Sequence, residues 1–289
     1  MNAVTDASRD HRERLQTQGR ALAQAWWILI LCFTGTAWAQ DDKPVLKPEG
    51  VATENPRAVE ALKSVCSASL EKQSVNQNQV ALCLAKCPAG TDYKGDESQW
   101  AVGVTFGHFL SPASESAVIA VTGCESHAKN FGGSYLLERS GGAWKTVWYE
   151  GGLITDECHK IAAPDGRELL VCHLNDSHQG FRESILYLVD LKSPKKENSN
   201  LFMTVDNLEV CDSEAVRASI DRVEFTASGM KIYARHGKMA MTPKQIKDCK
   251  ADRLPSVATK PYTIQFTFDG DTYRVDAGSR DAARVFEVR

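Results

Sequence analysis

Short apolar runs alternate with turn-forming residues from residue 100 to the end of the chain, and this spacing constrains the fold more than any other feature. Pro164-Asp165-Gly166, Ser228-Gly229 and Asp269-Gly270 are three of the turn signals. Strands that are bounded by turns at such short intervals favour antiparallel hairpins and meanders. We therefore predict a mainly β fold.

The segment before this β region is predicted to be a short N-terminal helical cap. Apolar residues recur at helical spacing from Pro56 to about Lys72, and Pro56 suits the first turn of a helix. A second short helix fits residues 78–86. With this cap, the predicted fold class is α+β overall.

Three of the turns are short enough for the pairing of their flanking strands to be counted. Pro164 suits the second position of a type I turn and Gly166 the left-handed position after it, which gives a three-residue loop. A two-residue turn is assumed at Asp269-Gly270 and at Ser228-Gly229. Counting outward predicts these opposed pairs: Cys158 with Cys172, His159 with Val171, Ile161 with Leu169, Phe225 with Ile232, Val223 with Ala234, Ile264 with Val275, and Phe266 with Tyr273.

The N-terminus has the pattern of an export signal, which predicts a signal peptide over residues 1–39. Arginines precede an apolar run at residues 25–33, and Ala37-Trp38-Ala39 is the small-x-small pattern that a signal peptidase reads. The run is shorter than the ~20 apolar residues that span a bilayer, so an uncleaved anchor is the less favoured alternative. We therefore predict a secreted or periplasmic protein with no stable membrane span after cleavage.

Nine cysteines are present, and eight of them follow the predicted signal. An even number of cysteines in an oxidising compartment predicts disulfide bonds. The alternative is a metal site, but Cys83 and Cys87 have only a loose zinc spacing and no second pair accompanies them. The eight cysteines are Cys66, Cys83, Cys87, Cys124, Cys158, Cys172, Cys211 and Cys249.

The position of the cysteines predicts two of the bridges. Cys158 and Cys172 stand opposite each other in the counted hairpin, which places them within disulfide reach. Cys211 and Cys249 are the only cysteines after the polar segment 192–200. The remaining two bridges pair Cys66 and Cys124 with Cys83 and Cys87, in an order that the sequence leaves open.

Composition divides the chain into segments. A polar stretch with three prolines follows the signal and is typical of a flexible leader. A second polar stretch, rich in charge, is predicted to be a linker or long loop that splits the β region in two. The predicted segments are the signal peptide 1–39, the leader 40–56, the helical cap 57–98, an antiparallel β region 99–191, the linker or loop 192–200 and a second β region 201–289.

Two stretches of the β region share one order of segments. Phe106-Gly-His-Phe109 is followed by a short loop, by the apolar run at residues 116–123 and by residues 132–139. Residues 165–171, leading to residues 185–190, repeat part of this order. The order resembles a blade of the FG-GAP type of β-propeller, which implies blade-like antiparallel sheets.

Blades of that family bind calcium through an acidic loop of the form D-x-[DN]-x-D-G. The corresponding loop in this chain, residues 110–115, contains Glu115 as its only acidic residue. The resemblance therefore does not imply a calcium site, and no cofactor is expected from it.

His159, His173 and His178 form the candidate metal site. In the counted register, His159 and His173 lie diagonally on one sheet face, within reach of a shared ligand. Two imidazoles and a carboxylate can hold zinc, with a water completing the coordination. The alternative is that His159 and His173 are packing residues, because Ile161 and Val171 share their face.

The sequence favours binding over catalysis. It lacks a G-x-S-x-G nucleophile elbow, and the net charge of −3 is not that of a nucleic-acid-binding protein. Our hypothesis is an exported, disulfide-bonded, non-catalytic binding or interaction module whose partner is an unknown protein, peptide or glycan. The alternative is a metal-dependent zinc enzyme centred on His159, His173 and His178.

We expect the mature protein to begin at Gln40, as read by N-terminal sequencing of the exported chain. Ala39→Leu should block cleavage, because the peptidase requires a small residue at that position. Trp38→Leu is the matched control and should be cleaved normally. Retention of residues 1–39 in the unaltered protein would contradict both the export and the disulfide arguments.

Overall fold

The computed structural model of the protein describes residues 45–46, 49–66, 72–75, 78–84, 98–124, 132–193, 199–250 and 252–287. The predicted signal peptide and its cleavage site at Gln40 lie outside these ranges. The same is true of Cys87.

Fourteen strands in the described ranges form three antiparallel sheets, and within each sheet the strands pair with their neighbours in sequence. The prediction of a mainly β fold is thereby confirmed. Sheet 1 contains β1 (Lys72–Val75), β2 (Asn78–Leu84), β3 (Gln99–Gly107), β4 (Ser116–Thr122), β5 (Gly133–Ser140) and β6 (Ala143–Gly151). Sheet 2 contains β7 (Cys158–Ala162), β8 (Glu168–His178), β9 (Phe181–Val189) and β10 (Ser199–Asp206). Sheet 3 contains β11 (Glu214–Thr226), β12 (Gly229–Ala240), β13 (Lys260–Phe268) and β14 (Tyr273–Val275).

The α-helices are short: α1 (Pro56–Leu62), α2 (Pro243–Asp248) and α3 (Arg280–Arg284). α1 begins after Asn55, whose side chain accepts a hydrogen bond from the N–H of Arg57 at 3.0 Å. α2 begins with a capping box between Thr242 and Gln245. Within the described part of the chain, no helix has both the length and the apolar character needed to cross a membrane.

The first half of β8 is buried on both faces. Leu169 and Val171 belong to a core that sheet 2 shares with sheet 3. Leu170 and Cys172 belong to a second core, which sheet 2 shares with sheet 1, because successive side chains of a strand point to opposite faces. The uninterrupted apolar run of β8 is therefore that of a strand buried on both sides.

The polar segment 192–200 does not divide the β region into two independent units. β10 follows this segment in the chain, yet it pairs with β9, which precedes it. Phe202 of β10 also lies in the core shared by sheets 2 and 3. The predicted linker is therefore a connection within one sheet, because backbone pairing and apolar burial hold both of its ends together.

The predicted flexible leader is packed where the structure describes it. Leu46 is 1% exposed, and its N–H donates to the Glu157 carboxylate at 2.7 Å. Val51 forms an antiparallel bridge with Val104. The prediction of flexibility relied on prolines and polar residues, and it missed the apolar residues that lie among them.

The helical cap predicted over residues 57–98 is wrong at residues 72–75 and 78–84, which the structure describes as strands. α1 ends at Leu62 rather than near Lys72. Residues 78–86 were expected to form a second helix, but the strand β2 occupies Asn78–Leu84 and pairs with β1 and β3. Residues 80–84 of β2 are a continuous apolar run, and the period of such a short run does not distinguish a strand from a buried helix.

The β7–β8 hairpin has the predicted register. The N–H of Ala163 donates to the carbonyl oxygen of Arg167 at 2.8 Å, and Gly166 takes the left-handed conformation with φ of 80°. Cys158 lies opposite Cys172, and the other pairs counted from this turn are also found. The turn residues were therefore sufficient to position every residue of β7.

The other two hairpins are displaced by two residues from their predicted registers. Phe225 lies opposite Met230 rather than Ile232, and Phe266 lies opposite Val275 rather than Tyr273. A shift of two residues keeps each side chain on its original face. The predicted division into an apolar and a polar face is therefore unaffected.

Gly229 explains the first displacement. It lies inside β12, where an added Cβ would be 2.0 Å from the carbonyl oxygen of Phe266. Glycine is thus needed for the close approach of β13, and the turn is made by residues 227–228 instead.

Asp269 explains the second displacement. Its side chain accepts hydrogen bonds from the N–H groups of Asp271 and Thr272 at 3.1 and 2.9 Å, which extends the loop to residues 269–272. The Thr272 N–H, together with Arg274 and the Asp271 N–H, holds the pKa of Asp269 at about 2.

One disulfide joins the segment after α1 to β2, a second joins β7 to β8, and a third joins the segment before β11 to the end of α2. Cys124 is also disulfide-bonded, but its predicted candidate partner Cys87 lies outside the described residues, so this pair stays a prediction. The bridges with both partners described are Cys66–Cys83, Cys158–Cys172 and Cys211–Cys249.

Replacing Cys158 and Cys172 together with serine should lower the free energy of unfolding by about 3 kcal/mol, because the disulfide restrains the unfolded chain. Denaturant titration measures this loss, and hydrogen exchange should show faster opening of β7. The matched control replaces Cys211 and Cys249, and it should leave exchange in β7 unchanged. Equal exchange of β7 in the two double variants would contradict the predicted local role of Cys158–Cys172.

Candidate functional site

His159, the first of the three candidate metal histidines, lies on β7. Its Nδ1 lies 2.6 Å from a carboxylate oxygen of Glu49, and its ring stacks on Phe225 at 3.9 Å between centroids. Burial lowers the pKa of His159, although Glu49 opposes this effect. The residue therefore packs between the leader and sheet 3.

His173 on β8 is almost fully buried, with 2% of its surface exposed. Its Nδ1 lies 3.0 Å from Glu157 Oε2, and its Nε2 lies 2.7 Å from Ser184 Oγ on β9. Glu157 also accepts the hydrogen bond from the N–H of Leu46. Both ring nitrogens of His173 are thus occupied by protein groups, and neither is available to a metal ion.

The chain of contacts from Ser184 through His173 to Glu157 has the order of a hydrolase triad. A catalytic serine also needs N–H donors that face the oxyanion of its substrate. Ser184 lies in the middle of β9, which is paired with β8 and β10 on its two sides, so its backbone belongs to the sheet ladder. The arrangement is that of a buried polar network with satisfied hydrogen bonds.

His178 lies at the end of β8, and its side chain is 48% exposed. Its Nδ1 is 3.4 Å from Asp176 Oδ2, and its ring lies 5.9 Å from that of Phe181. Ligand atoms of Asp176, His178 and Glu183 all lie within 4.8 Å of one another. Within the described ranges, these three residues form the group of histidine, cysteine and acidic side chains whose ligand atoms are close enough together to hold one metal ion.

The structure therefore gives each of the three histidines a different carboxylate partner. His159 is held by Glu49, His173 by Glu157, and His178 by Asp176. A single zinc centre formed by all three is not among the ligand groups of the described residues. The predicted diagonal placement of His159 and His173 in the hairpin register is found, but local hydrogen bonding separates their roles.

A cavity of about 620 Å³ opens between sheet 3, the end of β10 and the C-terminal segment. Val216 and Ala218 of β11 lie opposite Lys238 and His236 of β12, so these four side chains share one sheet face. Phe286, which follows α3, packs edge-on against His236 at 5.4 Å. Val216, Ala218 and Phe286 therefore supply apolar surface to the cavity.

Charged and polar residues form the rim of this cavity. Lys238 and Glu214 form an ion pair at 3.3 Å, and both side chains are more than half exposed. Burial, with the nearby charge of Lys238, lowers the pKa of His236, which favours its neutral form. The lining residues are Phe181, Val205, Asn207, Glu214, Val216, Ala218, His236, Lys238, Arg284, Val285, Phe286 and Glu287.

Comparisons with known proteins found no match for this chain. No family model matches it, and no match was found among curated proteins or solved structures. The resemblance to FG-GAP-type blades therefore stays a prediction.

The sequence analysis identified neither the cavity nor Glu183, the residue that lies opposite Asp176. Glu183 could have been found by counting outward from Gln179-Gly180, since His178 lies opposite Phe181 and Asp176 opposite Glu183. No sequence pattern indicates the cavity. Its wall includes the segment after α3, and the tertiary fold determines where that segment lies against β11 and β12.

Ser184→Ala should lower the free energy of unfolding by about 1–2 kcal/mol, because it leaves the buried Nε2 of His173 without its partner. Ser177→Ala is the matched control on β8, where the side chain is exposed, and it should change stability by less than about 0.5 kcal/mol. Chemical denaturation measures both. Equal stability of the two variants would mean that the His173 network does not contribute.

Proposed function

We propose that the protein is exported and acts as a non-catalytic binding protein, with its ligand in the cavity between β11, β12 and the C-terminal segment. The observation that carries this proposal is the cavity itself, whose volume is about 620 Å³. Sites for small molecules measure roughly 300–1,000 Å³ and combine apolar walls with a few polar groups. The cavity has both properties.

Disulfide bonding supports the export part of the proposal. Cysteines in reducing compartments stay as thiols, whereas those of exported proteins pair and persist as disulfides. The seven cysteines within the described ranges are all disulfide-bonded. This agrees with the signal pattern at residues 1–39, which the sequencing experiment on Gln40 tests directly.

The lining of the cavity favours a small amphipathic molecule as the ligand. Val216, Ala218 and Phe286 offer apolar surface to the body of such a molecule. Lys238 and Glu214 at the rim are half exposed and present both signs of charge to its polar end.

The apolar dye N-phenylnaphthylamine should bind the purified protein with a rise in fluorescence and a stoichiometry of one. Ala218→Phe should abolish or weaken this binding at least tenfold, because the added ring projects into the cavity. Ser219→Phe is the matched control, because the side chain of Ser219 points to the face of β11 opposite to that of Ala218. Equal binding by the two variants would place the dye elsewhere and contradict the proposal.

A further inference from the structure

The end of the β8–β9 hairpin brings two carboxylates and an imidazole together on one sheet face. Asp176 and His178 are two residues apart on β8, so their side chains point to the same side. Glu183 of β9 lies directly opposite Asp176. The ligand atoms of these three residues are all within 4.8 Å of one another.

The hairpin end is held in place by its surroundings. Gln179 and Gly180 form the turn in the left-handed conformation, with φ of 49° and 86°. A Cβ on Gly180 would lie 2.9 Å from the backbone of Glu209 and Val210, so the turn packs closely on that segment. Arg182 forms an ion pair with Glu209 from the neighbouring position of β9. The three side chains are thus carried by a fixed backbone.

The carboxylate of Asp176 is in an unfavourable environment, because one of its oxygens has no hydrogen-bond donor. Its Oδ1 is buried and has no hydrogen-bond donor in the described structure, while its Oδ2 is the oxygen nearest to His178. A buried carboxylate oxygen without a donor is costly. Glu183 adds to this cost, because like charges directly opposite each other destabilise an antiparallel pair. A cation between the two carboxylates would offset the repulsion between them.

We propose that Asp176, His178 and Glu183 bind a divalent transition-metal ion, for which zinc is the best match. One imidazole and two carboxylates form a donor set that zinc accepts, with a solvent molecule in the fourth position. Tetrahedral zinc places its ligand atoms ~3.4 Å apart, which follows from bonds of ~2.1 Å. The present separations of up to 4.8 Å therefore need only small side-chain adjustments.

Access and orientation also favour this site. The side chain of His178 is 48% exposed, so an ion reaches it from solvent. Its ring is tilted against Phe181, which restricts the orientations that it can take. His178 is one of the three histidines predicted as ligands, and its partners here are carboxylates rather than His159 and His173.

The test uses the full exported chain, without a histidine tag, after treatment with a chelator that is then removed by dialysis. Equilibrium dialysis against zinc chloride should give one ion per protein. His178→Ala and the isosteric Glu183→Gln should each weaken zinc binding at least tenfold, because each removes a ligand. His108→Ala removes an exposed histidine far from the group in sequence and should bind zinc as the unaltered protein does.

A position-specific readout completes the experiment. Cobalt in place of zinc should give a visible absorption spectrum in the unaltered protein and in His108→Ala, and this spectrum should be lost in Glu183→Gln. Circular dichroism and the number of intact disulfides show whether each variant is folded. The absence of zinc binding in the unaltered protein would overturn the proposal. Equal zinc binding by folded Glu183→Gln would also overturn it, since the ion would then be adventitious.

Discussion

The burial of β8 on both of its faces is the constraint on which the rest of the structure depends. Leu169 and Val171 fill the core towards sheet 3, and Leu170 and Cys172 fill the core towards sheet 1. A slip of one residue in pairing would exchange these two sets of side chains. The disulfide at Cys172 resists such a slip covalently, because its partner is the residue directly opposite on β7.

The alternation of side chains between the two faces of β8 also determines where the polar residues after its apolar run lie. His173 is still buried, and it is tolerated there because Glu157 and Ser184 satisfy its ring nitrogens. Further along β8, the even-numbered positions carry Asp176 and His178 on the face that Leu170 and Cys172 occupy in the core. The geometry that sorts apolar side chains into two cores therefore gathers polar side chains at the hairpin end.

The sequence predictions were correct where interactions between residues close in sequence determine the structure. They were wrong where contacts between distant segments determine it. The Pro164-Asp165-Gly166 loop determines its own length, and the register of β7 on β8 was correct. Gly229 was taken as a turn residue, but the neighbouring strand β13 requires glycine at that position. Residues 78–86 were taken as a helix, whereas residues 78–84 form a strand that pairs with β1 and β3. The cavity depends on packing of the C-terminal segment, which no local pattern reports.

The two proposed sites share one side chain. Phe181 lines the cavity and also lies against the ring of His178. If a ligand in the cavity moves Phe181, it alters the packing of that ring against His178, and a metal ion bound at His178 then acts on Phe181 in the same way. Thermodynamic linkage requires that any such effect on affinity is equal in both directions.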